Sequence, residues 1–140
     1  MVKKYKIGYT QGTYDLFHIG HLNLLNHAKE QCDYLIVGVN TDKLVKEYKN
    51  KSVVIPEEER ARIVDSIKSV DEVVLTDTLD KMEIAKKIKF DAIFIGDDWI
   101  NNQRWIDTKI EMEKIGIDVV FLPHTDGIST SDIREKIKKI

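Results

Sequence analysis

The 140-residue sequence has little of what marks a secreted or membrane protein. Its single cysteine, Cys32, cannot form an internal disulfide, and no run of 18 or more apolar residues is long enough to span a bilayer. The N-terminus carries Lys3, Lys4 and Lys6 but no apolar signal-peptide core. We therefore expect a protein of the reducing cytoplasm, without membrane insertion, in which Cys32 is a small, half-buried residue at the end of the first helix.

An excess of charge of one sign is also absent. The 22 lysine and arginine residues stand against 24 aspartate and glutamate residues, which gives a formal net charge of −2. Nucleic acids and anionic membranes are bound by strongly basic surfaces. The composition therefore gives no reason to expect a nucleic-acid partner.

Two common phosphate-binding motifs, G-x-G-x-x-G and G-x-x-x-x-G-K-[ST], are missing. Residues 12–21 nevertheless follow an apolar run and precede a helical pattern, so they form a strand-to-helix corner. The unpaired N–H groups and the dipole of a first helical turn attract anions. His18 and His21 are three residues apart and share one side of that turn, and Gly20 is expected to leave room for a ligand near the backbone. This corner is predicted to bind phosphate.

The rest of the chain predicts the fold. Apolar runs at residues 7–10, 34–39, 72–75, 92–95 and 119–122 are typical of strands covered on both faces. Helical patterns separate them, with starts at Pro56 and at Ser129, where Asp132 completes a capping box. The buried helix faces are predicted at Leu22, Leu25 and Ala28; Ile63 and Ile67; Ile84, Ala85 and Ile88; and Ile106 and Ile110. The predicted fold is a single α/β domain over residues 1–140, with five helices on both faces of a Rossmann-like, five-stranded parallel sheet.

Ligands of such sheets bind beyond the carboxyl ends of the strands. Four loops are expected there, at residues 12–21, 41–51, 96–99 and 123–131. The second is rich in lysine, and Arg60 and Lys68 on the following helix are further candidates for binding phosphate. The fourth leads into a capped helix and would form a second anion-binding corner.

The His18-Ile19-Gly20-His21 stretch resembles the signature of the His-x-Gly-His nucleotidyltransferase superfamily. Lys49-Asn50-Lys51, Gly96-Asp97-Asp98-Trp99 and residues 124–131 are similar to motifs of its cytidylyltransferases, closest to the glycerol-3-phosphate cytidylyltransferase group. The resemblance implies transfer of CMP from CTP to a small phosphomonoester, with glycerol 3-phosphate the leading acceptor, and release of pyrophosphate. It further implies Mg²⁺ or another divalent cation bound with CTP, and a homodimer.

The resemblance also assigns roles to individual residues. It implies that His18, His21 and Lys51 are catalytic and that Lys49 and Lys81 bind the acceptor. No side chain is a firm metal ligand, because the adjacent Asp97 and Asp98 need not point the same way and no third oxygen ligand is evident nearby. The residues implied to bind CTP are Thr13, Tyr14, Asp15, His18, Gly20, His21, Lys51, Asp98, His124, Thr125, Gly127, Ile128, Ser129, Thr130 and Ser131.

The chain departs from the family pattern at two positions of the last motif. Asp126 replaces glutamate, and His124 stands where the family usually has arginine. Arginine is always charged, whereas an ordinary histidine is largely neutral at pH 7. This difference leaves the acceptor open.

Three alternatives remain. The same chemistry could use choline, ethanolamine or sugar phosphates, or it could use ATP, as in an adenylyltransferase that makes FAD or an ADP-sugar. The His-Ile-Gly-His string also resembles class I aminoacyl-tRNA synthetases, but 140 residues with a net charge of −2 offer nothing to hold tRNA. The third alternative is a nucleotide-sensing module without activity.

Overall fold

The computed structural model describes residues 3–140 as one parallel sheet with helices on both faces. The strands are β1 (Tyr5–Gly12), β2 (Cys32–Asn40), β3 (Glu72–Thr76), β4 (Ala92–Gly96) and β5 (Asp118–Leu122). Their order in the sheet is β3-β2-β1-β4-β5, and every neighbouring pair is parallel. The predicted fold class is confirmed. The first two strands extend beyond the predicted apolar runs because backbone pairing continues from Tyr5 opposite Cys32 to Gly12 opposite Val39.

Six helices are present in the described residues, one more than predicted. They are α1 (Ile19–Glu30), α2 (Asp42–Lys49), α3 (Glu57–Asp65), α4 (Lys81–Lys87), α5 (Gln103–Lys114) and α6 (Thr130–Lys138), and a 3-10 turn covers Asp97–Trp99. The extra helix is α2, which lies within the predicted loop after β2. Thr41 caps it by accepting the N–H of Leu44, and Asn50 ends it in the left-handed conformation.

Two apolar cores cover the two faces of the sheet. Leu25 and Ala28 of α1 and Val64 of α3 pack against one face, and Ile84 of α4 and Trp105 of α5 pack against the other. A ligand at the carboxyl edge of the sheet can therefore touch elements from both layers.

The predicted buried face of α5 was wrong, and that of α3 was right only for Ile67, which packs against the core just beyond the end of the helix. Ile63 is 40% exposed, and α3 instead buries Arg60 and Val64 because the Arg60 guanidinium bonds to backbone carbonyls inside the protein. Ile106 and Ile110 are 38% and 51% exposed. The buried face of α5 is instead formed by the large Trp105 side chain and by Met112, which lies seven residues later on the same side of the helix.

The prediction for Cys32 was wrong in two respects. Cys32 begins β2 rather than ending a helix, and it is fully buried, with its thiol directed to the carbonyl of Ala28 at 3.4 Å. None of the described helices is both long enough and apolar enough to cross a membrane.

The central strand fixes where a ligand can bind. β1 pairs with β2 on one side and with β4 on the other, so the winding of the chain reverses between β1 and β4. At such a switch point the loops diverge to opposite faces and leave a crevice at the carboxyl edge.

Candidate functional site

A pocket of about 510 Å³ occupies this crevice. It extends from the β1–α1 corner and the start of α6 to the first turns of α4 and α5. The lining residues are Gln11, Gly12, Thr13, Tyr14, Asp15, His21, Asn40, Val45, Tyr48, Lys49, Lys51, Ser52, Val53, Leu79, Lys81, Ile95, Trp99, Arg104, Trp105, Thr130, Ser131 and Arg134.

The two histidines form a hydrogen-bonded, stacked pair at the start of α1. His18 is the N-cap, and its Nδ1 accepts the N–H of Gly20 at 3.1 Å. Nδ1 of His21 accepts the N–H of His18 at 3.2 Å, and the ring centroids are 3.8 Å apart. Because each Nδ1 accepts a hydrogen bond, the proton of each neutral ring resides on Nε2. Both rings thus keep one N–H donor that these backbone contacts do not use.

Burial keeps the pair uncharged. It lowers the pKa of His18, and it lowers the pKa of His21 to about 3, with the positive charge that His18 and Lys49 would carry adding to the effect. Two stacked imidazolium ions would also repel each other. At neutral pH the corner therefore presents neutral N–H donors.

Gly20 leaves space for the imidazole ring of His18. A Cβ at this position would lie 2.9 Å from Cε1 of His18, so the space beside Gly20 is filled by the imidazole ring. The expectation that Gly20 leaves room for a ligand was wrong, because the neighbouring ring occupies that room.

Asp15 ties together three segments around the pocket. Its carboxylate accepts the N–H of Val54 at 2.8 Å, the N–H of Ile55 at 2.9 Å and Nη2 of Arg134 at 2.9 Å. Burial alone would raise the pKa of Asp15, but these hydrogen bonds and the Arg134 charge outweigh it and lower the pKa. A carboxylate engaged in this way positions the segment at Val54 and Ile55 as well as α6, and its predicted contact with CTP stays a prediction.

Thr13 and Tyr14 continue the wall beside the histidines. Tyr14 is buried at a left-handed φ of 56°, its ring lies edge-on to His21 at 5.2 Å, and burial raises the pKa of its hydroxyl. Oγ1 of Thr13 lies 3.1 Å from the hydroxyl of Tyr48 on α2. α2 is thereby attached to the corner.

The predicted lysines Lys49 and Lys51 line the pocket at the end of α2 and in the loop that follows. Both are exposed, and Nζ of Lys49 lies 5.5 Å from the centre of the Tyr48 ring. Lys68 lies outside the pocket lining. Arg60 is fully buried and donates to the carbonyls of Thr13 and Asn40 at 2.6 and 2.8 Å, so it fixes strand ends and is not free to bind phosphate.

Lys81 lies at the opposite end of the pocket, where it begins α4. It is only 8% exposed, donates to the carbonyl of Leu79 at 3.0 Å and lies 5.3 Å from the centre of the Trp105 ring. Burial, followed by the positive charge of Arg104, lowers its pKa to about 8. The structure thus brings the predicted acceptor lysines Lys49 and Lys81 into one cavity.

The start of α6 contributes a third wall. Thr130, Ser131 and Arg134 line the pocket, and the hydroxyl of Thr130 donates to the carbonyl of Asp15 at 2.8 Å. Four other predicted residues of this loop do not line the pocket, but their contacts and backbone conformation fix the shape of the loop. Thr125 accepts from Asn23 at 2.9 Å, Gly127 has a φ of 77°, Ile128 approaches Gly20, and Ser129 caps α6 through the N–H of Asp132.

Asp98 and His124 lie together next to Asp97, outside the pocket lining. His124 pairs with Asp97 through Nδ1 and with Asp126 through Nε2, the latter at 2.8 Å. The hydrogen bond that His124 donates to the Asp97 carboxylate raises the pKa of His124 above that of an ordinary histidine. The carboxylates move this residue toward the cationic state that arginine always has.

This cluster is also the candidate for a metal site, since atoms of Asp97, Asp98 and His124 lie within 4.8 Å of one another. Both ring nitrogens of His124 are engaged, Nδ1 with Asp97 and Nε2 with Asp126, so neither is free to bind a metal. Mg²⁺ prefers oxygen ligands in octahedral geometry. The cluster therefore does not fit a dedicated magnesium site.

Several pocket residues were missed in the sequence. Gln11 and Asn40 belong to the carboxyl ends of β1 and β2, and their side chains are joined by a 2.9 Å hydrogen bond. Arg134 is four residues after Thr130 and so shares its helix face, a spacing that could have revealed it. Tyr48 could not be identified because α2, the helix that carries it, was not predicted.

Comparisons with known proteins identify the family of this chain. Residues 9–136 match the family described as Cytidylyltransferase-like. The chain is 38% identical over 132 residues to the glycerol-3-phosphate cytidylyltransferase of Bacillus spizizenii, covering 94% of this chain and 96% of that protein. It is 35% identical over 133 residues to the FAD synthase of Pyrococcus abyssi, covering 92% and 90%.

A solved structure shows the same fold. The lipopolysaccharide core biosynthesis protein of Thermoplasma volcanium superposes with a TM-score of 0.74 at 25% identity, covering 87% of this chain and 99% of that one. The predicted enzyme class, a nucleotidyltransferase, is confirmed by the family and the named relatives. With the match extending over nearly the whole chain, this protein belongs to the cytidylyltransferase-like family.

Proposed function

We propose that the protein transfers CMP from CTP to a small phosphomonoester, with glycerol 3-phosphate as the leading acceptor, and so forms CDP-glycerol and pyrophosphate. One observation carries the proposal: a neutral, stacked imidazole pair lies at a helix N-terminus beside a pocket with five basic side chains. The glycerol-3-phosphate cytidylyltransferases among the relatives, at 35–38% identity, support the choice of substrates.

In this reaction an oxygen of the acceptor phosphate attacks the α-phosphorus of CTP, and the bond from that phosphorus to the bridging α,β-oxygen breaks. The acceptor is already ionised, so no protein nucleophile is needed. Negative charge develops on the departing pyrophosphate, where the Nε2–H groups of His18 and His21 would donate hydrogen bonds. Preorganised donors in a partly desolvated site are a strong source of catalysis.

The lysines would hold the two substrates together. A triphosphate and a phosphomonoester repel each other by several kcal/mol at an effective dielectric of about 20 unless cations intervene. Lys49 and Lys51 line the pocket at the end of α2 and just after it, and Lys81 lines the pocket at the start of α4. We assign Lys51 to the triphosphate, and Lys49 and Lys81 to the acceptor.

We also propose that CTP binds together with Mg²⁺, which would neutralise part of its phosphate charge. The proposal fits the pocket because Asp15, the one carboxylate that lines it among the described residues, already accepts hydrogen bonds from protein donors. The predicted homodimer and cytoplasmic setting stay predictions that rest on the resemblance and on the single cysteine.

The test is pyrophosphate release with CTP and, separately, ATP against glycerol, choline, ethanolamine and sugar phosphates. We expect release with CTP and glycerol 3-phosphate. Absence of release with every combination would overturn the proposal and leave the nucleotide-sensing alternative.

A second candidate is adenylyl transfer from ATP to FMN, favoured by the 35% identity to an FAD synthase over 92% of this chain. The same assay separates the two candidates when FMN is added to the panel. Pyrophosphate release with ATP and FMN, and none with CTP, would favour this second function.

A further inference from the structure

The far end of the pocket holds two basic side chains without acidic partners. Lys81 begins α4 and Arg104 lies in the first turn of α5, and both line the cavity with Trp105 between the helices. Among the ion pairs of residues 3–140, none includes Lys81 or Arg104. The Lys81 ammonium donates a hydrogen bond to the uncharged carbonyl of Leu79.

A buried ammonium group without a carboxylate is unfavourable, because burial removes hydration that nothing then replaces. Lys81 is 8% exposed, and the adjacent guanidinium adds repulsion to the cost of desolvation. An arrangement that places two like charges at one end of a cavity is stabilised when an anion enters. The centre of the Trp105 ring lies 5.3 Å from Nζ of Lys81, so a cation–π interaction attracts the ammonium group, but the ring has no negative charge to neutralise it.

The two ends of the pocket lie on opposite faces of the sheet. The histidine corner belongs to the layer of α1, and Lys81 and Arg104 belong to the layer of α4 and α5. A triphosphate at the histidine corner would leave the α4–α5 end for the acceptor.

We propose that Arg104 binds the acceptor together with Lys81, and that this pair restricts the acceptor to phosphomonoesters whose organic group carries no positive charge. The proposal rests on the function proposed above and narrows its acceptor class. Choline phosphate and ethanolamine phosphate carry an ammonium group that would meet two cations here. Asp15, the acidic residue of the lining, lies at the other end and is held by Arg134 and backbone N–H groups.

The titration of Lys81 supports the same assignment. Its neighbours are Arg104 on α5, which lowers its pKa, and Asp80 at the start of α4, which opposes the shift; the pKa is about 8. Above pH 8 the free enzyme loses this ammonium charge. The KM for the acceptor should therefore rise with pH through 8.

The experiment compares the wild type with Arg104→Gln and, as a matched control, with Lys109→Gln. Lys109 lies on the same helix outside the pocket lining, and its substitution removes the same charge. We expect wild-type kcat/KM to favour glycerol 3-phosphate over choline phosphate by about 100-fold. Arg104→Gln should raise the KM for glycerol 3-phosphate about tenfold, and Lys109→Gln should leave it unchanged.

Equal use of choline phosphate, or equal KM values in the two variants, would overturn the inference while leaving nucleotidyl transfer in place. If no acceptor supports pyrophosphate release, the proposed function fails. Calorimetric binding of glycerol 3-phosphate to the three proteins then still decides the assignment of Arg104. Loss of binding in Arg104→Gln alone supports it, and equal binding in all three refutes it.

Discussion

At the scale of single residues, the Asp15 carboxylate joins the β1–α1 corner to α6 and to the segment at Val54 and Ile55, which follows Lys51. Its side chain is 3% exposed, and it accepts hydrogen bonds from two backbone N–H groups and from Arg134. Replacing a buried, charged acceptor leaves donors without a full partner. The position of Lys51 over the pocket therefore depends on a residue that does not need to touch phosphate.

We expect Asp15→Asn to lower the free energy of unfolding by about 1–3 kcal/mol, because the amide accepts fewer and weaker hydrogen bonds than the carboxylate. Urea denaturation measures this change. The matched control is Asp132→Asn at an exposed position of α6, where the loss should be smaller. Equal stability of Asp15→Asn and the wild type would contradict the positioning role.

His21 gives a second prediction at this scale. Its pKa is about 3 in the folded protein and near 6.5 ordinarily, so the unfolded chain binds the proton at higher pH. The stability that the neutral ring contributes is complete above pH 6.5 and is lost as pH falls toward 3. Unfolding free energies at pH 7 and pH 5 should differ more for the wild type than for His21→Gln. An identical difference in both proteins would argue against the buried, neutral ring.

At the scale of elements, α4 depends on its N-cap. Oδ1 of Asp80 accepts the N–H groups of Met82 and Glu83 at 3.0 and 3.2 Å, in a helix of only seven residues. We expect Asp80→Ala to cost about 1 kcal/mol of stability. Thermal denaturation measures it, with Asp107→Ala on α5 as a control that removes an acid without removing a cap. No difference between the two variants would show that the cap is dispensable.

The elements also show what the sequence could predict. Branched apolar runs identified all five strands, because strands buried on both faces need continuous apolar sequence. The helix α2 was missed because its eight residues include Asp42, Lys43, Lys46, Glu47 and Lys49, and only Leu44 and Val45 are buried. The predictions of buried helix faces were wrong where one large buried side chain determines which side of the helix faces the core. Arg60 does this in α3, and Trp105 does it in α5.

At the scale of the whole molecule, predicted site residues from three of the four loops line one crevice because the sheet is parallel and the winding reverses beside β1, whereas Asp98 and His124 lie outside its lining. Local sequence predicted the histidine corner, the lysines and the α6 start. It could not predict that Asp15 would be held by Arg134, 119 residues later, or that His124 would lie between two carboxylates. Such contacts depend on tertiary packing, which no local pattern contains.

The central claim is that the neutral His18–His21 pair stabilises the departing pyrophosphate. The most direct measurement is the rate of pyrophosphate release from CTP and glycerol 3-phosphate by the wild type, His18→Ala and His21→Ala, with circular dichroism to verify the fold. The account predicts release by the wild type and a fall in kcat of about 10²-fold or more in each folded variant. Near-wild-type rates in both variants would contradict it.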